Sequence, residues 1–182
     1  MSEHVERIDR TLVRQGAIID IYEDTVQLPN GDIEKWDFVA HRMGAACIVP
    51  VTPEGRILLV RQYRPALDRY TWELPAGCRD EADEPTDITA KREMEEETGY
   101  TSDDIIQLLS LKSTVAFCNE LIDVYLARDI RRIGEQHLDP AEEISLKEWE
   151  LSEVLEEIYS GRLQDGKTVA GILAYAYRYA DR

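Results

Sequence analysis

Long apolar runs are missing from this chain. None approaches the roughly 20 residues that a membrane-spanning helix needs, so no membrane partner is expected. Cysteine is scarce. Cys47, Cys78 and Cys118 are an odd number, lie far apart and form no CxxC pair, which argues against a disulfide framework or a zinc site. Positive charge is short as well: 21 Lys and Arg stand against 37 Asp and Glu, a formal net charge of −16. General nucleic-acid binding rests on neutralising phosphates with Lys and Arg, so no nucleic-acid partner is expected either. The three histidines, His4, His41 and His137, show no ligand spacing and are given no catalytic role. The opening MSEHVERIDR is charged and lacks an apolar signal region. These absences predict a soluble protein of the reducing cytoplasm.

What is present suits a packed domain. The chain has 182 residues, 43% hydrophobic and 32% charged, enough for one domain or one domain with a small appendage. GAIIDIYEDTVQL and IEKWDFVAHR read as strands joined at Asn30-Gly31, a strong hairpin signal. AACIVPV, RILLVRQYR, IIQLLSLKSTVAF, LIDVYLAR and ISLKEWEL read as further strands. SEVLEEIYSGRL predicts an amphipathic helix capped by Ser152, and TVAGILAYAYRYA a C-terminal helix. Strands mixed with helices predict an α+β fold, with sheets flanked by helices.

The most charged stretch is GCRDEADEPTDITAKREMEEETGY, residues 77–100, with nine Asp or Glu. Pro85 suits a first helical turn, Asp83, Glu84 and Asp87 suit a helix N-terminus, and Gly99 suits a left-handed C-terminal cap. The spacing therefore predicts a helix over 85–98. On it Glu93, Glu96 and Glu97 stand at i, i+3 and i+4, hence on one face, with Glu95 pointing away. Arg92 lies four residues before Glu96 and can pair with it. A run of acids is most often a solvated face. Three like charges on one face also suit hard divalent cations, Mg²⁺ above all with Mn²⁺ as a second choice.

The stretch resembles the Nudix box: a glycine, a glutamate, then Arg-Glu-aliphatic-x-Glu-Glu-x-Gly-aliphatic. Here these are Gly77, Glu84, Arg92, Glu93, Met94, Glu96, Glu97, Gly99 and Tyr100. A match at so many positions is far more specific than a short motif. The family usually places five residues between the glycine and the first glutamate. This chain has six, CRDEAD, so either the loop is longer by one or Asp83 takes that part. RQYRPALDRYTWELPAG, residues 61–77, and the N-terminal hairpin resemble the ADP-ribose pyrophosphatases and related nucleoside diphosphate sugar hydrolases.

That resemblance implies an α/β/α sandwich over 44–182. It is preceded by an antiparallel β subdomain over 1–43 that is exchanged across a homodimer. The implied substrate is a small nucleotide sugar, cleaved at the diphosphate with Mg²⁺. The Ala76 carbonyl, Glu93, Glu96 and Glu97 would hold the metal. Arg64 would grip the diphosphate with its fixed fork of donors, and Trp36 would stack a base. Glu120 is a candidate for the terminal sugar. Glu142, Glu143 and Glu97 are the candidate bases. Val115 and Ala116 stand where the ADP-ribose group usually has proline and glycine, which keeps other sugar nucleotides open. Two other readings are a non-catalytic sugar-nucleotide sensor and a hydrolase of damaged nucleoside triphosphates. Sensors tend to lose box carboxylates, which are kept here. The triphosphate hydrolases usually lack the N-terminal hairpin.

Overall fold

The computed structural model describes residues 3–140 and 143–179. The chain divides into two compact units. One runs to Gly44 and includes Lys112–Leu121, and the other is Ala45–Leu111 with the residues from Ile122 on.

The first unit is an antiparallel sheet of β1 (Glu6–Gln15), β2 (Ile19–Gln27) and β3 (Ile33–His41), in that order. Ile33 pairs with Gln27 in register, so the hairpin loop is five residues long. Within it the Asp32 amide donates to Asn30 Oδ1 (3.0 Å), a side-chain turn of the kind that favours asparagine. Arg10 on β1 makes a bidentate pair with Asp24 on β2 (2.6 Å each) and lies 3.7 Å from the centroid of the Phe38 ring. β1 was not foreseen, and the Lys112–Leu121 segment groups with this unit. That segment bonds to β3, the Val39 amide donating to the Phe117 carbonyl at 2.7 Å.

The second unit holds β4 (Ala45–Pro50), β5 (Ile57–Arg64), β6 (Arg69–Glu73), β7 (Ala76–Cys78), α1 (Thr86–Thr98), β8 (Tyr100–Thr101), β9 (Asp104–Lys112), β10 (Leu121–Arg128), β11 (Arg131–Arg132), β12 (Ile144–Trp149), α2 (Leu151–Tyr159) and α3 (Gly166–Arg178). Two main sheets run β7-β4-β10-β9 and β12-β5-β6, with a small β11-β8 pair. β4 and β10 are parallel. β4 is buried along its whole length, as expected of a strand covered on both faces. Its alternate residues feed two cores. Cys47 and Val49 pack with Val154 of α2 and Ile172 of α3, while Ala46 and Ile48 pack with Ala90 and Met94 of α1. Each such aliphatic side chain contributes roughly 1.5–3 kcal/mol by burial.

Three local readings need correction. Pro85 is the extended N-cap residue of α1, not part of its first turn. Ser152 is not the cap of α2. Glu150 is, in a capping box with Glu153. The strand expected over IIQLLSLKSTVAF stops at Lys112, and residues 114–117 turn, with the Cys118 amide donating to the Thr114 carbonyl at 2.9 Å. Gly99 caps α1 in the left-handed conformation, φ 72°, and its amide donates to the Glu95 carbonyl, as read from the sequence. No described helix is long and apolar enough to cross a membrane.

Candidate active site

α1 presents its acids unequally. Glu93 and Glu97 are buried, with Glu96 half-buried between them. Glu95 leaves that face and accepts from Thr101 Oγ1 at 2.5 Å. The Ala76 amide on β7 donates to Glu97 Oε2 (3.1 Å). Gly77, next on β7, stands against Glu93 so closely that a Cβ there would overlap the Glu93 carboxylate. This close approach explains the glycine: any side chain would displace the carboxylate from the strand.

Arg92 is the cation at the centre of this cluster. Its Nη1 donates to Glu93 Oε1 (2.7 Å) and Glu96 Oε2 (3.1 Å), and Nη2 to the Cys78 carbonyl (3.0 Å). Its Nε lies 3.4 Å from Asp80 and 3.7 Å from Glu84. Burial alone would lower the Arg92 pKa, but Glu93, Glu96 and Asp80 together hold it well above the usual arginine value. Glu84, and not the exposed Asp83, turns inward. It accepts from the Asp80 amide and Thr89 Oγ1 (2.9 Å each), and these bonds hold its pKa below the ordinary glutamate value. The longer loop is thus folded onto the start of α1 by Glu84.

The implied metal fits this donor set in chemistry. Several carboxylates already converge on one cation, Arg92, and hard oxygen donors suit Mg²⁺. The glycine cradle keeps Glu93 against β7. Among the described residues no three acids, histidines or cysteines are already gathered as a ligand set, and Arg92 and the Ala76 amide engage oxygens of Glu93, Glu96 and Glu97.

A second charged cluster surrounds Arg64 at the end of β5. Arg64 Nε and Nη2 donate to the two Glu73 oxygens at 2.7 and 2.6 Å. Glu73 also accepts from Lys167 Nζ (2.6 Å) and Thr71 Oγ1 (2.5 Å). Its side chain is 4% exposed. Burial pushes its pKa up, yet the Arg64 bonds and the Lys167 charge outweigh this and hold it at about 2. Lys167 further pairs with Asp165 at 3.0 Å. Sequence reasoning found Arg64 but missed Glu73 and Lys167. A signal existed for Lys167: a cation in the first turn of a helix opposes the helix dipole and so requires a local reason.

Of the candidate bases, Glu143 is exposed and accepts from Tyr70 Oη on β6 at 3.2 Å. Glu142 lies outside the described residues. Trp36 and Glu120 belong to the first unit. Trp36 is half-exposed on β3, and its Nε1 donates to Glu34 (2.9 Å). With Phe117, Ile21, Val39 and Ala116 it lines an open cleft of about 650 Å³, to which Lys35 and Asp37 add one charge of each sign. Val115 is fully out in solvent at 82% exposure. Glu120 Oε1 is 3.7 Å from His41 Nε2. The second unit therefore brings together Ala76, Glu93 and Glu97, with Arg92 joining Glu96 to Glu93. Cys47 is a buried filler whose thiol burial pushes up to about 12.

A two-cored sandwich carrying an Arg-Glu-x-x-Glu-Glu helix against a glycine strand defines a class: hydrolases of the Nudix type. The comparisons agree. Residues 40–170 match the NUDIX domain model, and the chain belongs to the Nudix family. It is 36% identical to an ADP-ribose pyrophosphatase of Bacillus subtilis (strain 168) over 173 residues, 94% of this chain and 90% of that one. It is 35% identical to an ADP-ribose pyrophosphatase of Mycobacterium tuberculosis over 177 residues, 96% and 84% of the two chains. A solved ADP compounds hydrolase superposes with a TM-score of 0.85 at 17% identity, covering 96% of this chain and 94% of that one, which speaks to the fold.

Proposed function

We propose that this Nudix hydrolase cleaves the diphosphate bond of ADP-ribose or a related nucleoside diphosphate sugar, giving a nucleoside monophosphate and a sugar phosphate. The observation that carries this reading is the presence in one unit of an acidic cluster around α1 and of Arg64, part-exposed and held by Glu73. The near full-length likeness to two ADP-ribose pyrophosphatases supports it. Mg²⁺, or Mn²⁺, held by Glu93, Glu96, Glu97 and the Ala76 carbonyl would neutralise diphosphate charge and make a water more acidic. Arg64 binds the diphosphate oxygens. Glu97, Glu142 or Glu143 takes the proton of the attacking water, and the Tyr70 bond holds Glu143 in place. Arg92 and Glu84 keep the box loop on the helix.

The first unit supplies the base pocket, with Trp36 as its stacking surface and Glu120 toward the terminal sugar. Ile8, Leu12, Ile19 and Ile33 are exposed on its sheet, and exposed apolar side chains of this kind suit an interface. This supports a homodimer in which the unit over 1–43 is exchanged onto the 44–182 domain of the partner. The enzyme works in the cytoplasm.

The test is a panel: purified protein with Mg²⁺, given ADP-ribose, UDP-glucose, GDP-mannose and a dNTP, with products resolved. Turnover of a nucleotide sugar to a monophosphate and a sugar phosphate is expected. Binding without turnover would indicate a sensor, and turnover of the dNTP alone a triphosphate hydrolase. Val115 and Ala116 leave the preferred sugar to the panel. Light scattering at micromolar concentration checks the dimer.

A further inference from the structure

The Arg64 cluster continues past Glu73 to the other end of the chain. Asp165 caps α3, accepting from the Thr168 amide (3.1 Å) and Thr168 Oγ1 (2.6 Å). The Leu74 amide, directly after Glu73, donates to that same Thr168 Oγ1 at 2.8 Å, and Thr168 is fully buried. The first turn of α3 is therefore docked on the backbone beside Glu73. From that turn Lys167, with a side chain only 12% exposed, reaches Glu73.

Glu73 accepts four donors on two oxygens, from Arg64 twice, Thr71 and Lys167. Among the described residues, one edge of the Arg64 guanidinium, Nε and Nη2, is engaged. Five N–H groups are available on an arginine, and Arg64 remains 40% exposed, so its other edge can meet a ligand. A lone Glu73 would cancel the Arg64 charge. Lys167 holds Glu73 from the other side, and with Asp165 paired to Lys167 the two cations and two carboxylates balance. A lysine in the first turn of a helix works against the dipole, so helix formation does not account for its place.

We infer that Lys167 is a positioning residue for Arg64: by holding Glu73 in place it fixes the guanidinium with its open edge directed at the diphosphate of the substrate. The inference rests on the reading of Arg64 as the diphosphate ligand. It adds a residue 103 positions away in the chain, on an element that the box does not include.

The experiment compares Lys167→Met, Lys167→Arg, Arg64→Ala and the Lys167→Met/Arg64→Ala pair. Two readouts are used: the Kd of ADP with Mg²⁺ by calorimetry, and KM and kcat for ADP-ribose. Loss of a well-oriented charged hydrogen bond is worth roughly tenfold or more. Lys167→Met should raise the ADP Kd and the KM about tenfold, with kcat within about threefold. Lys167→Arg should recover most of the loss. In the Arg64→Ala background Lys167→Met should add nothing further. Equal losses from Lys167→Met in both backgrounds, or a fall in kcat with KM unchanged, would overturn the inference. Unchanged Kd and KM in Arg64→Ala would remove the Arg64 reading itself, and the inference with it. Lack of ADP-ribose turnover by the wild type would sink the substrate reading alone, since ADP binding still tests Lys167. If Lys167→Met does not fold, Glu73→Gln/Lys167→Met removes the buried carboxylate together with its lysine, so that position 73 carries no unpaired charge. That pair should show the same Kd rise, and wild-type binding by it overturns the proposal.

Discussion

Arg92 and Glu73 are opposite solutions built at the two ends of one short stretch, Glu73–Cys78. At the Cys78 end one cation sits among four carboxylates, with Asp80, Glu84, Glu93 and Glu96 all within 3.7 Å. At the Glu73 end one carboxylate sits between two cations, Arg64 and Lys167, both at 2.6 Å. The first cluster is left with surplus negative charge, whereas the second, with Asp165 on Lys167, is balanced. Buried charges are stable only when paired and hydrogen-bonded; Glu73 meets that condition in full, while Arg92 meets it through Nη1 and Nη2 and its buried Nε makes no hydrogen bond among the described residues. The difference teaches where a ligand of each sign is welcome. Under the proposed function a divalent cation would relieve the first cluster, and a diphosphate would meet the open edge of Arg64 in the second. A chain of formal charge −16 repels phosphates at long range, so the proposed diphosphate substrate would depend on local cations such as Arg64 and a bound metal.

The comparison breaks most visibly at Glu97. Glu97→Gln keeps an oxygen that can accept from the Ala76 amide, so the fold should hold. It removes one like charge from the acidic cluster, so the melting temperature without metal should stay level or rise. Turnover should nearly vanish, at least the roughly hundredfold or more typical of losing a catalytic carboxylate. Near wild-type kcat at saturating Mg²⁺ would show that the surplus negative charge serves no metal. Kinetics beside a thermal melt check both halves.

Arg92→Met attacks the same cluster from its cation. Removing one partner of a buried pair costs about 3–5 kcal/mol. Arg92 is 24% exposed, so the low end applies. For a chain of this length that is a fall of about 6–10 °C in Tm. Because the carboxylates are then left facing one another, added Mg²⁺ should raise the Tm of Arg92→Met more than that of the wild type, by mass action on the folded state. An equal Mg²⁺ shift in both proteins would place the metal away from this cluster.

Acid sharpens the contrast at Glu73. Its folded pKa is about 2, below the ordinary 4.5, so the unfolded chain binds its proton first as pH falls. The stability Glu73 contributes is complete above about pH 4.5 and is lost as pH falls toward about 2. A shift of this size corresponds to about 3 kcal/mol. The groups facing it are Arg64, Lys167 and Thr71, with Asp165 beyond Lys167. Neither cation titrates in this window, and the comparison with Glu73→Gln separates the Glu73 carboxylate from the chain's other acids. Melts from pH 6 to pH 2.5 should show the wild type well above Glu73→Gln at pH 6 and the gap narrowing steadily below about pH 4.5. A constant gap would mean that the carboxylate charge is not what holds Arg64 and Lys167.

Much of the acidic cluster was legible because its residues lie within one helix turn of one another. The i, i+3, i+4 spacing placed Glu93, Glu96 and Glu97, and Gly99 marked the helix end. Glu84 needed the structure, since the extra loop residue left two acids that spacing alone could not separate. The cationic cluster was legible only at Arg64. Glu73 and Lys167 are 94 residues apart, and contact at that separation comes from tertiary docking of α3, which no local period records. β1 escaped for a different reason. Nearly all its residues are exposed, so it carries no alternating apolar signal. The cap of α2 was read as Ser152 from the usual preference for serine, whereas Glu150 and Glu153 satisfy each other.

The smallest expected effect is a control on the whole comparison. Arg131 and Asp103 form an ion pair at 3.0 Å, close to the length of the pairs discussed above, but their side chains are 56% and 77% exposed. Water screens such a pair, and holding two long side chains together costs entropy, so exposed pairs are worth little. Arg131→Ala should therefore move Tm by less than about 2 °C and leave KM for ADP-ribose unchanged, whereas Arg92→Met and the acid titration of Glu73 move Tm by several times that. Should Arg131→Ala prove as damaging as Arg92→Met, burial would not be what sets the two central clusters apart. Net charge would be the governing quantity, and salt would then shift every one of these melts alike.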